Sequence, residues 1–394
     1  MSSPRKSKGI IVTIVAILSS LRLTVLLLGL CMILIFVATL LQTDLGIHEV
    51  QLRYFRAWIA WFDVWPGKRN FSIPFPGGMT LGASLLCNLF AAHIRRFKLR
   101  WEKAGMILVH TGIVLMLLGE LFTAMLSQES QMRLDEGKTS NYSVSPRETE
   151  LAIIETGENG FEEVHAISSG ELREGATFRF DGFKLRVARF FANSQIGDLA
   201  SAGTDFDPMR ADRGMGVSLA VKGKPRETAM DLGDITSAFV EIDSADGKMM
   251  GRWLLSNTIP GEEGFEVNGK TWKMALRLRR FYHPFSIRLL DFTHENYLGT
   301  QIPKNFSSRI RLLNPEEGEN RETLIYMNHP LRYAGLTFYQ AGFENKDRTS
   351  ILQVVRNPAW TMPYVSCAMV GIGLIWIFSQ HLSKAFARRR TSDA

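Results

Sequence analysis

Leu21-Arg-Leu-Thr-Val-Leu-Leu-Leu-Gly-Leu-Cys-Met-Ile-Leu-Ile-Phe-Val-Ala-Thr-Leu-Leu41 contains a single charge, Arg22, in its first turn. A helix rises 1.5 Å per residue and the bilayer hydrocarbon is about 30 Å thick, so about 20 mostly apolar residues cross it. The run meets that length, and Arg22 is near enough to its start to reach the headgroups. Arg5, Lys6 and Lys8 stand ahead of it, as they would ahead of a signal peptide. A signal core, however, is only about 7–15 residues long and ends in small residues, whereas this run ends in Leu40, Leu41 and Gln42. It therefore reads as a retained span, and the shorter apolar stretch Ile10–Leu18 either lies in the interface or extends it.

Two further runs, Ala104–Leu126 and Met362–His381, have the same length and character. Met79–Ile94 is weaker, because it is short, contains Asn88 and His93, and needs Phe71–Gly78 or local bilayer thinning to cross. Charge supports counting it. Arg5, Lys6 and Lys8, then Arg95, Arg96, Lys98, Arg100 and Lys103, then Lys384 and Arg388–Arg390 all fall on one side only if there are four spans, which is the positive-inside pattern. The same clusters explain much of the formal charge of +7, so no nucleic-acid partner is expected.

The expected fold is a membrane α plus β protein with four transmembrane helices and a large extracytoplasmic β-rich domain inserted between helices 3 and 4. In order, residues 1–20 form a cytoplasmic or interfacial N-terminus, 21–42 the first span, 43–78 an outer loop, 79–94 the second span and 95–103 a basic cytoplasmic loop. Residues 104–126 form the third span, 127–360 the β-rich domain, 361–381 the fourth span and 382–394 a basic tail. The outer loop holds Tyr54, Phe55, Trp58, Trp61, Phe62 and Trp65. They read either as an interfacial amphipathic helix or as one wall of a cofactor site.

Short segments rich in β-branched and aromatic residues mark the outer domain: Leu151–Glu155, Thr177–Phe180, Phe183–Phe190, Gly216–Val221, Trp272–Leu278, Ser286–Phe292, Ser308–Leu313, Thr337–Gln340 and Ser350–Val355. A sandwich or open barrel follows, with Asn193–Arg213 as a surface loop. The three cysteines, Cys31, Cys87 and Cys367, lie in or beside the spans. The domain therefore lacks the thiols that a disulfide, a thiol oxidoreductase or a cysteine zinc site requires. Gly264–Thr271 fits the phosphate-loop pattern, but Asn268-Gly269 between two strand-like segments reads as a hairpin turn, so no nucleotide partner is expected. Nucleophile-elbow and H-E-x-x-H patterns are absent, and His165, His283, His294 and His329 are scattered.

His110 stands apart. Seven residues beyond Lys103 it lies ~10 Å into the third span, where an ionisable side chain is costly without a task. A helix–helix hydrogen bond, a proton relay and axial ligation of haem iron all fit, since a neutral imidazole coordinates iron and Gly105 and Gly112 leave room for a flat macrocycle or another helix. His93 reads as a headgroup-level residue.

The first span from Ser20 to Gln42, the segment Gly105-Met-Ile-Leu-Val-His110-Thr-Gly112 and the late outer region together resemble the ResB (CcsB) family of cytochrome c biogenesis proteins. The late region carries Asp291-Phe292, Tyr297-Leu-Gly-Thr300, Pro303-Lys304, Phe306-Ser-Ser308, Asn328-His-Pro-Leu331, Tyr333-Ala-Gly335 and Phe338-Tyr-Gln340. The resemblance implies a bacterial inner-membrane subunit that works with a CcsA (ResC)-like membrane partner to move haem b outward to apocytochrome c. It would be one component of a cytochrome c synthase, or haem lyase, complex and not an enzyme alone. It also implies that His110 is an axial haem ligand shared with the partner. His329 is a second candidate haem contact, although the Asn328–Gln340 run also reads as a turn and strand closing the β-domain. The rival reading is an envelope sensor or structural protein whose β-domain binds a protein or cell-wall ligand.

Overall fold

The computed structural model describes residues 10–63, 72–96, 100–157, 162–227, 233–296, 298–299, 303–344 and 348–392. Arg5, Lys6, Lys8, Trp65, Lys98, Tyr297 and Thr300 lie outside them. The chain divides into a helical unit built from the N-terminal 127 residues and the segment from Asn357 onward, and a β unit covering most of the residues between.

The helical unit begins with α1 (Ile10–Leu18) and α2 (Leu21–Val50), which bends at Gly46, the one residue there with positive φ. A π-helical turn, Gln51–Phe55, leads into the hairpin β1 (Ile59–Asp63) and β2 (Ser72–Pro76). The helices α3 (Gly78–Arg96), α4 (Ala104–Leu126) and α5 (Met362–Ser392) complete it. Among the described residues three helices are long and apolar enough to cross a membrane: Leu21–Ile47, Trp101–Leu126 and Met362–Arg389. The chain is thus a membrane protein with three such helices, where four were expected. The expected second span does form a helix, α3, but a shorter and more polar one.

The aromatic loop differs from the interfacial-helix expectation. Tyr54 and Phe55 lie in the π-helical turn and Trp61 and Phe62 in the hairpin, where Tyr54 stacks on Phe62 with centroids 5.3 Å apart and Phe62 meets Phe75 at 5.2 Å. Pro74 and Pro76 lack the N–H a helix needs and suit this isolated two-stranded ribbon.

Asn88 explains the polarity of α3. The chain breaks between α1 and α2 at Ser19-Ser20, and Asn88 Nδ2 donates to the carbonyls of Leu18 (2.5 Å) and Ser20 (3.2 Å) while Thr24 Oγ1 donates to Asn88 Oδ1 (2.7 Å). A broken helix in an apolar medium leaves carbonyls that must be satisfied, and a side chain from a neighbouring helix does so here. Asn88→Leu is expected to lower resistance to detergent denaturation by about 1–2 kcal/mol. A denaturant titration of the purified protein checks this, and an unchanged midpoint contradicts it.

The β unit opens with β3 (Gln128–Asp135), β4 (Thr139–Thr156) and β5 (Glu162–Ser168). Then come β6 (Thr177–Phe180), β7 (Phe183–Phe191), β8 (Ser194–Asp198), β9 (Leu219–Gly223), β10 (Ser237–Ser244) and β11 (Met249–Ser256). It ends with β12 (Glu263–Val267), β13 (Lys270–Asn296), β14 (Pro303–Asn314), β15 (Glu319–Tyr326), β16 (Leu331–Tyr333), β17 (Leu336–Glu344) and β18 (Thr349–Arg356). The expected loop Asn193–Arg213 is a loop only in part, because its first residues form β8, which pairs with β9.

A large antiparallel sheet runs β15-β14-β13-β4-β3-β18-β17-β16, with β12 added on β13 and β5 on β4, and a smaller one runs β11-β10-β7-β6. The smaller sheet packs on β4, β5, β12 and β13 around Leu151, Leu185, Val240, Trp272 and Met274, which makes a sandwich. The rest of the large sheet encloses a second core around Met132, Ile287, Ile310, Phe338 and Leu352. β13 serves both cores and changes register against β4 between Tyr282 and Ile287. Pro284 falls in that break, where the missing N–H costs no ladder bond. Asn268 (φ 52°) and Gly269 (φ 77°) turn β12 into β13, so the phosphate-loop lookalike is a hairpin.

Candidate functional site

In α4 the glycines Gly105, Gly112 and Gly119 recur every two turns on one face. An added Cβ at Gly105 would lie 2.8 Å from the Gly373 carbonyl oxygen, at Gly112 2.9 Å from that of Ser366, and at Gly119 2.9 Å from Met362 Cβ. Of the two uses expected for Gly105 and Gly112, the structure settles on the second: they admit the helix α5, by the close backbone approach that small residues allow.

At about 100° per residue, His110 projects roughly 140–180° away from that stripe. Its face carries Met106, Ile113 and Leu117, with exposures of 45%, 39% and 39%. On another side of the helix, roughly 110° from His110, Arg100, Trp101, Ala104, Ile107, Leu108 and Thr111 line a groove of about 300 Å³.

His110 Nδ1 lies 2.8 Å from the Met106 carbonyl oxygen one turn earlier. A carbonyl only accepts, so Nδ1 carries the proton and Nε2 of the neutral ring carries the lone pair, the form that ligates metals. The residues present fit an axial haem ligand in this respect: an imidazole of fixed tautomer on an apolar helix, with exposed apolar neighbours on its face.

His93, expected at headgroup level, instead meets His110. The ring centroids are 5.3 Å apart and the planes cross at 67°. His93 repeats the same arrangement, with Nδ1 3.0 Å from the Leu89 carbonyl oxygen. The signal was available in the numbering. The short connection between α3 and α4 makes them antiparallel, with His93 three residues before the end of α3 and His110 six residues into α4, so both stand near the same end of the pair.

The histidines of the β unit serve its packing. His294 is among Phe306 and Phe343, His165 is edge-on to Phe180, and His329 stacks on Tyr326 with centroids 4.7 Å apart in the turn before β16. Among the described residues no three His, Cys, Asp or Glu side chains gather as a metal site. The quoted late motifs act largely as scaffold. Ser308 Oγ is 2.6 Å from Gln340 Oε1 and 2.7 Å from Ser350 Oγ, pinning three strands. Asn328 (φ 60°), Ala334 (φ 48°) and Gly335 (φ 75°) make the turns on either side of β16.

His283, at the bend of β13, has Nε2 3.1 Å from Ser143 Oγ and its ring stacked on Phe285. Burial pushes its pKa below the ordinary 6.5. A depressed histidine stays neutral in the fold while the unfolded chain takes up protons, so its stabilising contribution is complete above pH 6.5 and is lost as pH falls through the folded-state pKa. Thermal unfolding of the wild type is expected to lose midpoint temperature between pH 7.5 and 5.5 more steeply than His283→Gln, and parallel curves would contradict this.

Helices of membrane-spanning length with paired imidazoles, joined in one chain to an antiparallel β unit, define a membrane-anchored β-domain protein with a candidate metal-ligating histidine. Residues 256–351, from the end of β11 into β18, match the model of the ResB-like family. Over 93 residues the chain is 30% identical to Protein NrfI of Wolinella succinogenes, a stretch that is 24% of this chain and 10% of that protein. The chain thus spans about a tenth of the curated relative it matches. The ResB-like character read from the Asp291–Gln340 motifs holds over this part of the β unit. The segment around His110 lies outside the match.

Proposed function

We propose that this chain is a membrane subunit that carries haem outward and scaffolds its attachment to apocytochrome c, together with a CcsA/ResC-like partner, in the cytoplasmic membrane of a bacterium. The observation that carries the reading is the His110 imidazole, placed within an apolar helix in its ligating tautomer on a face whose apolar neighbours are exposed. Bound haem b, in transit, would supply iron for His110 Nε2 to ligate, and the partner would supply the opposite ligand. The protein's own part is to fix the imidazole, keep water from it and hold the β unit in the chain.

In this proposal α3 is the fourth crossing. Its 19 residues measure about 28 Å, close to the hydrocarbon thickness, and the crossing collects the basic clusters on the cytoplasmic side. The β unit then faces outward, and the exposed His329 is a secondary contact for haem arriving there. The chain is a component of a synthase complex and not a catalyst alone.

The test is co-expression with a CcsA/ResC-like partner and the absorption spectrum of the purified pair. A haem spectrum with low-spin nitrogen ligation is expected, and a pair that purifies intact with no haem removes the reading.

A further inference from the structure

We infer that His93 is a positioning residue for His110, bracing its ring from α3 so that Nε2 is presented in one orientation. The inference rests on the haem reading above and concerns a residue which that reading leaves without a role. The two rings touch edge to face, at 5.3 Å and 67°. Imidazoles ligating opposite faces of one macrocycle aim their Nε2 atoms at each other through the iron, with the macrocycle between them. Rings in direct contact leave no place for it. Held in this contact, His93 is not the opposite axial ligand.

The need for a brace follows from the faces of α4. The glycine stripe binds α5 on the side of α4 away from His110. The neighbours on its own face, Met106, Ile113 and Leu117, are substantially exposed. The bond from Nδ1 to the Met106 carbonyl fixes the tautomer, while a ring lying edge-on from a second helix limits rotation about the remaining torsion. His93 is itself tied to α3 through Leu89, so it is a fixed surface and not another mobile side chain. Ligand-plane orientation sets the electronic symmetry at a ligated iron, and adjacent groups that orient a ligating histidine tune the metal it holds.

The experiment uses the full chain with its partner and compares wild type, His93→Ala, His93→Phe and His110→Ala by haem-to-protein ratio and electron paramagnetic resonance. Positioning predicts that His93→Ala keeps the haem-to-protein ratio while its low-spin g values shift and broaden. It also predicts that His93→Phe, which retains an edge-on ring, restores the wild-type signal. Unchanged g values in His93→Ala overturn the inference while leaving His110 as ligand. So does haem loss in both His93 variants, which would make His93 a ligand. A fall in ratio at unchanged g values assigns His93 a merely structural role and overturns it as well. Haem retained with unaltered g values in His110→Ala takes His110 out of the ligand role and overturns the brace with it, whereas a wild-type pair without haem overturns the haem reading itself.

Discussion

Gly112→Leu is expected to separate α4 from α5 and cost on the order of 3 kcal/mol, the upper end of what overpacking incurs. At Gly112 a Cβ would sit 2.9 Å from the Ser366 carbonyl oxygen and 2.8 Å from Val370 Cγ2. The first of these is backbone and yields only if the helix moves. Gly105 and Gly373 face each other in the same way, each with a Cβ position 2.8 Å from the other's carbonyl oxygen, so the contact is backbone on backbone for much of its length. Gly371→Leu is the matched control, since nothing lies within 4 Å of its Cβ position. There the change replaces glycine in a helix by a better helix former, a gain of up to about 1 kcal/mol. A disulfide engineered at Thr123 and Asn357, whose side-chain atoms Oγ1 and Oδ1 lie 3.4 Å apart, reports the separation directly. Cross-linking yield should fall in Gly112→Leu and hold in Gly371→Leu. Equal yields would show that α5 does not rest on the stripe.

The helical unit was legible where length and hydropathy decide the matter, as in Leu21–Leu41 and Ala104–Leu126, because a bilayer demands long apolar runs. It was less legible where one helix answers another. Asn88 weakened the reading of the second span because its partners, the carbonyls at the Ser19-Ser20 break, lie some 70 residues away. The glycines were noticed but not assigned, since a flat ligand and a helix ask for the same missing Cβ. In the β unit, Asn268-Gly269 announced its hairpin through local backbone preference alone. β10 did not announce itself: Ser237–Ile242 is buried on both faces, and its Glu241 breaks any apolar pattern. That carboxylate is stabilised by Arg186 and Arg252, each on a neighbouring strand, and such pairing appears only once the strands are placed.

His110→Ala is expected to strip the partnered complex of haem, lowering the haem-to-protein ratio more than tenfold, while α4 stays folded. The two halves of this expectation have separate grounds. The bond from Nδ1 to the Met106 carbonyl runs within α4, alanine favours a helix more than histidine does, and the glycines that meet α5 are on the far side of the helix, so the substitution is expected to spare the backbone and the contact with α5. Iron, in contrast, loses a nitrogen ligand that no methyl group replaces. Imidazole added to the medium should then restore ligation, because the substitution leaves a ring-sized space on a face whose apolar neighbours Met106, Ile113 and Leu117 are exposed. His110→Phe fills that space with an inert ring and should not respond to imidazole. A pyridine haemochrome assay of the purified complex measures all of these. Rescue in the alanine variant alone would place the deficit at the missing nitrogen, whereas a ratio within twofold of wild type in His110→Ala would take His110 out of the ligand role.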